Sequence, residues 1–416
     1  MVKFLHTADL HLGKVFHDHS LLEDQAFMLD QLGGILSDKS YSALLIAGDI
    51  YDRSIPSPEA VALFGAFLEK MCSIRPDLVI LILPGNHDSA PRLGFGRELF
   101  AKLDIHIAAE PERAFEPVLV KNPGETCAFF LLPFLYPGCL CGGNGLAGSG
   151  EAPDPAGPGS PAPGDPVRSQ SRLAEIAAAR LETARAKAVK AGAVLTVLGA
   201  HLFTLGGRES ESERIFLGTA EQVDANLFSG FDYTALGHLH RFQKIGSNAW
   251  YSGSPLAYSF GEADQEKVFL SVELDPVGAA LPRVIPIPVR PLWKLRRLWG
   301  SFNFFFGDSA EDPVIIEAEK DYLEISLDDT TLVENPLALL RPRFPRLLSI
   351  RQETAFARLA AGNSGVTGEA LPHGGSKRSP SEDFADFLSG IYGEADPEKL
   401  ALFGELLSEL EEGMEK

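Results

Sequence analysis

The stretch Leu83–Ser89, LPGNHDS, follows the hydrophobic run Leu78–Leu83 and decides how the rest of the chain is interpreted. The run predicts a buried strand, and the Pro-Gly pair after it predicts a sharp turn, because glycine adopts backbone conformations that other residues avoid. The turn presents Asn86, His87 and Asp88 beyond the end of the strand. Open α/β sheets bind ligands at that end of their strands. The stretch therefore predicts a site at the carboxyl edge of a sheet.

Other segments share this layout of a hydrophobic strand followed by residues that bind metals: Asp9 and His11 after Val2–Thr7, Asp49 after Ala43–Ala47, His201 after Ala193–Leu198, and His238 and His240 after Tyr233–Leu236. Apolar residues at helical spacing predict helices at Leu21–Leu36 and Pro58–Lys70, between the first three strands. This β-α-β-α-β order predicts parallel strands in a layered α/β fold. The carboxyl ends of such strands meet at one edge.

The residues at the strand ends form a donor set that suits two metal ions. Mixed histidine, carboxylate and amide ligands are typical of Mn²⁺, Zn²⁺ or Fe²⁺ and less typical of Mg²⁺ or Ca²⁺. With one bridging carboxylate the set makes two sites, and two metals about 3.5–4 Å apart clamp the attacking and leaving oxygens of a phosphoryl displacement.

Each motif alone has an ordinary explanation. Asp9-x-His11 can occur by chance, His201 can be a buried structural histidine, and Asp49 can cap a helix. The joint occurrence of the motifs, each after a strand, favours the metal site.

Composition limits the function classes. The net charge of −20 argues against a protein that coats nucleic acid, because Lys and Arg drive phosphate binding. An enzyme that meets DNA through bound cations and a local basic groove is compatible with this charge. No apolar run approaches the ~18–20 residues of a membrane span, and the N-terminus lacks the apolar core of a signal peptide. The 4 cysteines fit reduced thiols. We expect a cytoplasmic protein.

From about Ala280 the sequence predicts a separate, small α+β domain. An extended run broken by prolines is predicted at Val284–Val289, and strands are predicted at Val314–Glu319, Tyr322–Leu327 and Pro345–Gln352. A helix interrupted by Pro336 is predicted at Thr331–Leu340. Two stretches rich in Gly, Pro and Ser, 138–168 and 359–381, predict a flexible insertion and a linker.

Two amphipathic helices are predicted in 382–416. Their apolar stripes are Phe384, Phe387, Leu388 and Ile391 on the first, and Leu400, Phe403, Leu406, Leu407 and Leu410 on the second. We therefore expect a first domain at 1–278, a second at 279–358, the linker and a helical segment.

The motif order DLH, GDxxD, GNHD, AH and GHLH resembles that of the calcineurin-like metallophosphoesterases. Longer segments, HTADLHLGK, AGDIYDRSIPSPEA and YSGSPLAYSFGE, resemble the SbcD family of bacterial nuclease subunits. The resemblance implies a four-layer α/β/β/α sandwich with a small capping domain and C-terminal helices. It also implies a DNA repair and recombination nuclease, a 3′–5′ exonuclease on duplex ends and an endonuclease on single strands and hairpins.

The resemblance further implies roles for individual residues. One Mn²⁺ would be held by Asp9, His11, Asp49 and His240, and a second by Asp49, Asn86, His201 and His238, with Asp49 bridging. His87 would lie beside the scissile phosphate and assist the leaving oxygen. The basic run Arg290–Arg297 is a candidate contact to the DNA backbone, and a solvated surface explains it equally well.

Partners are also implied. The helices in 382–416 would dock on the coiled-coil base of an SbcC-type ATPase, and the nuclease domain would form a homodimer within a heterotetramer. The alternatives are helices that pack on their own chain, a calcineurin-like phosphodiesterase or phosphatase for small substrates, and a non-catalytic scaffold. The scaffold ranks last because no ligand residue is missing from the motifs.

Overall fold

The computed structural model describes residues 1–122, 125–140, 169–210, 222–276, 281–308, 311–352 and separate positions between 381 and 407. The chain divides into two compact units, Met1–Leu295 and Arg296–Lys416. The predicted flexible insertion from residue 141 onward and the predicted linker up to residue 380 lie outside the described residues. Among the described residues, no helix is long and apolar enough to span a membrane.

The first unit alternates strands and helices along the chain. Its strands are β1 (Val2–Thr7), β2 (Val15–Phe16), β3 (His19–Ser20), β4 (Ala43–Ala47), β5 (Val79–Leu83), β6 (Ile105–Ile107), β7 (Val118–Asn122), β8 (Glu125–Leu132), β9 (Leu195–His201), β10 (Tyr233–Gly237), β11 (Gln243–Ile245), β12 (Ala249–Tyr251), β13 (Val268–Leu274) and β14 (Arg283–Pro288). Its α-helices are α1 (Leu22–Leu36), α2 (Pro58–Ile74), α3 (Ala90–Leu93), α4 (Arg97–Phe100) and α5 (Gln170–Lys190).

Two six-stranded sheets form the centre of this unit. The first has the order β14-β13-β1-β4-β5-β6, in which β1, β4, β5 and β6 are parallel and β13 is antiparallel to both of its neighbours, β1 and β14. The second has the order β11-β12-β10-β9-β8-β7, with β8, β9, β10 and β12 parallel. The predicted parallel strands are confirmed. Their register places the carboxyl ends of β1, β4 and β5 side by side, with Thr7 opposite Ile46 and Ala47 opposite Leu83.

The two sheets pack face to face through one apolar core. Phe4 and Leu45 of the first sheet share this core with Phe129 and Val197 of the second, and the rings of Phe4 and Phe129 meet edge to face at 5.2 Å. On the outer face of the second sheet, α5 buries a stripe of leucines and alanines. Side chains on the other face of β4 are also buried, as are the apolar faces of α1 and α2. The layers are therefore α/β/β/α, as predicted.

The second unit contains a three-stranded sheet. Its elements are β15 (Leu295–Gly300), α6 (Pro313–Ala318), β16 (Tyr322–Leu327), α7 (Pro336–Leu340) and β17 (Leu347–Arg351), and β16 and β17 are parallel. Phe305, Leu323, Ile325 and Phe344 lie in its apolar core.

Two predictions for this unit were wrong. The predicted strand at Val314–Glu319 is helix α6, because the Asp312 side chain accepts hydrogen bonds from Val314 N (2.9 Å) and Ile315 N (3.4 Å) and Pro313 occupies the first turn. The predicted helix at Thr331–Leu340 is reduced to α7, which Pro336 begins instead of interrupting.

The boundary between the units also differs from the predicted one at residue 278. Strand β14 pairs with β13 along its whole length, so the first unit continues to Leu295. The assignment of 279–358 as a capping domain stays a prediction. Of the predicted C-terminal stripes, Phe387, Ile391, Leu406 and Leu410 lie outside the described side chains. Phe384 and Phe403 are described, and their rings stack with centroids 4.1 Å apart.

Candidate metal centre

The side chains singled out by the sequence lie together at the carboxyl ends of the central strands of both sheets. These are Asp9 and His11 beyond β1, Asp49 beyond β4, Asn86 and His87 beyond β5, His201 at the end of β9, and His238 and His240 beyond β10. Several adopt the left-handed backbone region, with φ of 55° at Asp9, 44° at His11, 49° at Asp49 and 106° at His238. That conformation is costly for residues other than glycine and clusters at functional sites. Glycine would avoid this strain, but it has no side chain, so the strained positions keep residues whose side chains reach the cluster.

Glycines permit the close approach of the loops that carry these side chains. A Cβ atom at Gly85 would lie 2.1 Å from Asp49 Oδ1, and one at Gly48 would lie 2.0 Å from His201 Nδ1. Asp88 then joins the two loops, because its carboxylate accepts hydrogen bonds from the backbone N–H groups of Gly85 (2.9 Å), Ile50 (3.0 Å) and Tyr51 (2.9 Å). The sequence places Asp88 at the turn after β5 and predicts no role for it. Its position in the GNHD motif was the available signal.

One group of donors surrounds Asn86. Its Oδ1 atom lies 3.0 Å from His201 Nε2 and 2.9 Å from His238 Nδ1, and these two nitrogens are 3.3 Å apart. His201 Nδ1 lies 2.9 Å from the Ala47 carbonyl oxygen, to which it donates. Nδ1 therefore carries a proton, and Nε2, which faces Asn86 Oδ1 and His238 Nδ1, is the nitrogen left to bind a metal.

A second group surrounds His11. Its Nε2 atom lies 3.1 Å from His240 Nε2, and Asp9, His11 and His240 each offer a ligand atom within 4.8 Å of the others. The Asp9 carboxylate also accepts a hydrogen bond from the His238 backbone N–H at 3.0 Å. Both histidines have a carboxylate 3.5 Å from the other ring nitrogen, Asp52 at His11 and Glu262 at His240.

Asp49 lies between the two groups. Its Oδ2 atom is 3.7 Å from His11 Nε2 and 3.5 Å from His201 Nε2. Its other oxygen accepts a hydrogen bond from the His87 backbone N–H at 2.9 Å. One carboxylate oxygen therefore faces both groups of donors, which is the arrangement of a bridging ligand.

His87 adjoins the second group, since one ligand atom each of His11, Asp52 and His87 lie within 4.8 Å of one another. Its Nδ1 atom lies 2.9 Å from the Asp52 carbonyl oxygen and its ring meets that of His11 edge to face at 4.8 Å. The side chain is half-buried, whereas the side chains of Asp9, His11, Asp49, His201 and His240 are buried. Asn86 and His238 are also half-buried, so His87 lies with them at the more open side of the cluster.

The pKa values of the clustered side chains indicate a site that binds cations. Burial raises the pKa of Asp9 to about 7 and lowers the pKa of His238 to about 3 and that of His11 to about 4. At His201, burial would lower the pKa, but the carboxylates of Asp49 and Asp9 and the Ala47 carbonyl together outweigh burial and raise the pKa to about 9. A divalent ion keeps its carboxylate ligands ionised and its imidazole ligands neutral. The facing ring nitrogens, the mixed donors and the buried carboxylates therefore fit two divalent metals.

The basic run Arg290–Arg297 is engaged by acids at its C-terminal end. Arg296 pairs with Asp321 at 2.6 Å and with Glu317 at 2.9 Å, and Arg297 lies 3.3 Å from Glu324. These contacts favour a structural role for Arg296 and Arg297 over a contact to the DNA backbone.

Residues 2–242 match the calcineurin-like phosphoesterase family. The chain is 30% identical over 355 residues to the SbcD subunit of nuclease SbcCD from Staphylococcus saprophyticus, an alignment that covers 85% of each chain. It is 28% identical over 351 residues to the protein of the same name from Staphylococcus epidermidis, covering 84% of this chain and 85% of the other. A solved dimetal phosphatase from Danio rerio is 13% identical, with a TM-score of 0.40, and covers 68% of this chain and 98% of that one.

Proposed function

The chain belongs to the calcineurin-like phosphoesterases and, within them, to the SbcD family of nuclease subunits, a hydrolase family for phosphodiester bonds, and we propose that it is a metal-dependent DNA nuclease. Its reactions are 3′–5′ exonuclease cleavage at duplex ends and endonuclease cleavage of single strands and hairpins, in DNA repair and recombination. The names of the relatives and the donor geometry support this proposal.

The observation that carries the proposal is the position of Asp49 Oδ2, 3.7 Å from His11 Nε2 and 3.5 Å from His201 Nε2. Two Mn²⁺ ions would be held at this site, and Asp49 would serve both. Asp9, His11 and His240 would hold the first, and Asn86, His201 and His238 would hold the second. Imidazole ligands suit transition metals better than Mg²⁺, which prefers oxygen ligands, and the choice of Mn²⁺ among the transition metals follows the family resemblance.

Two metals supply Lewis-acid stabilisation of the attacking and leaving oxygens. The chain supplies orientation and a proton. The hydrogen bond between His87 Nδ1 and the Asp52 carbonyl oxygen fixes the ring, so that Nε2 is the nitrogen that exchanges a proton with substrate. The His87 backbone N–H is anchored on Asp49. We assign to the protonated His87 ring the donation of a proton to the leaving oxygen, a contribution of about 10²–10⁴-fold for general acids.

The proposal extends to partners. The segment 382–416 docks on the coiled-coil base of an SbcC-type ATPase, and the nuclease forms a homodimer within a heterotetramer in the cytoplasm. Residues 279–358 act as a capping domain that selects DNA. The names of the relatives, which contain the SbcCD complex, and the apolar stripes of 382–416 support these assignments.

The test is cleavage of three substrates, linear duplex DNA, hairpin DNA and bis-p-nitrophenyl phosphate, with Mn²⁺ or Mg²⁺ and with or without the ATPase. We expect Mn²⁺-dependent cutting of both DNA substrates. Turnover of the small diester without any cutting of DNA, even after the ATPase is added, would show an enzyme for small substrates instead.

A further inference from the structure

Glu262 is a buried acid next to the proposed metal centre, and it ends the segment YSGSPLAYSFGE, for which the sequence predicts no individual roles. Its side chain is fully buried, and its Oε1 atom lies 3.5 Å from His240 Nδ1. Oε1 also accepts a hydrogen bond from Ser259 Oγ at 3.1 Å, and Oε2 lies 2.6 Å from Lys267 Nζ. A buried carboxylate is costly unless a cation and hydrogen bonds compensate it. The compensation is present here, so the carboxylate is built into the fold.

Lys267 holds both the carboxylate and the backbone of the histidine. Besides Glu262, its ammonium group donates to the His240 carbonyl oxygen at 3.0 Å and to Ser254 Oγ at 2.9 Å. His240 is therefore fixed at its backbone by Lys267 and faced at its ring by Glu262. The opposite ring nitrogen, Nε2, lies 3.1 Å from His11 Nε2, inside the cluster of donors.

The position of a proton follows from this arrangement. A neutral imidazole carries its proton on one nitrogen, and a carboxylate is only an acceptor, so the proton lies on the nitrogen that faces it. For His240 this nitrogen is Nδ1, which leaves the lone pair on Nε2 to bind a metal. His201 reaches the same tautomer through the Ala47 carbonyl oxygen. The charged partner at His240 also makes the imidazole a stronger base than a carbonyl does.

We propose that Glu262, compensated by Lys267, is the positioning residue that presents His240 Nε2 to the first of the two metals. This inference rests on the proposed dimetal centre. It adds a pair of residues, 22 and 27 positions after His240 in the chain, to the machinery of that centre.

Glu262→Gln is the informative substitution because it is isosteric. Its amide oxygen replaces the contact to Lys267, and its NH₂ group then faces His240 Nδ1, which must become an acceptor. The proton moves to Nε2 and blocks the metal position. Glu262→Asp is a second variant, which keeps the charge beside Lys267 but withdraws the carboxylate from Nδ1. Glu324→Gln is the matched control, since Glu324 is a buried acid that pairs with Arg351 at 2.9 Å in the other unit.

Two readouts are needed on the full chain. Calorimetric titration of the metal-stripped protein with Mn²⁺ should show two sites in the wild type and in Glu324→Gln. In both Glu262 variants, one site should lose about 10–100-fold in affinity, the usual cost of removing such a partner. Histidine ¹⁵N NMR of the metal-free wild type, assigned with a His240→Gln sample, should show Nδ1 protonated in His240.

The outcomes separate this inference from the proposed function. A wild type with two Mn²⁺ sites and Glu262 variants with the same two affinities would overturn the positioning role alone. A wild type with fewer than two Mn²⁺ sites would overturn the dimetal centre. Nδ1 unprotonated in the metal-free wild type would overturn the inference whatever the metal content, and needs no variant to fold.

Discussion

Asp49→Asn removes the charge of the proposed bridge and leaves its shape. The amide oxygen can still accept the hydrogen bond that Asp49 Oδ1 takes from the His87 backbone N–H at 2.9 Å. The atom that replaces Asp49 Oδ2, which faces His11 Nε2 at 3.7 Å and His201 Nε2 at 3.5 Å, carries no negative charge. Two cations that share one carboxylate are then both under-ligated.

The expected loss follows from what the bridge supports. Removing one preorganised group that stabilises charge in a transition state costs about 2.7–4 kcal/mol. Asp49 supports two metals, so about 4 kcal/mol is a lower bound, which corresponds to a rate at least ~10³-fold lower. In the metal-free protein the substitution keeps the backbone hydrogen bond but removes the carboxylate that raises the pKa of His201. The free energy of unfolding should therefore fall as well, because removing one partner of a buried ion pair is destabilising.

The assay is hydrolysis of bis-p-nitrophenyl phosphate and of duplex DNA by protein that was stripped of metal and reloaded with Mn²⁺. Asp232→Asn is the control, because Asp232 also accepts from a backbone N–H, that of Thr196 at 2.7 Å, but at the opposite end of β9. Wild-type rates and two bound Mn²⁺ in Asp49→Asn would refute the bridging role.

Three further perturbations test separate parts of the account. His87→Ala should lower the rate by about 10²–10³-fold and keep two Mn²⁺ per chain by elemental analysis; loss of metal in this variant would show that its assigned role is wrong. Deleting 382–416 should leave Mn²⁺ content and small-diester turnover unchanged but abolish co-purification with the ATPase, and unaltered co-purification would reject the docking segment. Burial lowers the pKa of His6 to about 3. Below pH 6.5 the unfolded chain therefore binds a proton at His6 that the folded chain excludes. The free energy of unfolding falls as the pH falls, by about 2 kcal/mol at pH 5. Urea unfolding at pH 7 and pH 5 should show a smaller loss in His6→Gln, and equal losses in both proteins would contradict this.

The parts of the fold that were predictable are those set by local sequence. The hydrophobic runs Ala43–Ala47 and Val79–Leu83 form strands whose two faces are both buried. Such strands are apolar throughout and do not alternate apolar with polar residues. Their parallel arrangement follows from the helices between them. For the same reason, the motifs after these runs lie at one edge.

The predictions that were wrong concern segments whose local preference is outweighed. The run Val314–Glu319 is rich in β-branched residues, which favours a strand. The Asp312 cap and Pro313 supply the start of a helix, and the buried side of α6 packs in the core of the second unit. Strand β14 contains two prolines and is confined to the edge of its sheet, where missing N–H groups are tolerated.

The site was predictable only as far as its motifs reach. Asp9, His11, Asp49 and the others follow strands and are therefore visible in the sequence. Glu262 ends a short 3₁₀ helix, Phe260–Glu262, Lys267 directly precedes β13, and only the folded chain brings both to His240. Glu262 also ends the segment YSGSPLAYSFGE, which resembles the SbcD family, but that sequence does not show which side chain Glu262 contacts.

Anomalous scattering at the manganese edge, from crystals of the full chain soaked in Mn²⁺, tests the central claim most directly. We expect two peaks, one on each side of Asp49 Oδ2. The first should lie within bonding distance of Asp9, His11 and His240, and the second within bonding distance of Asn86, His201 and His238. A single peak, or two peaks that do not share Asp49, would contradict it.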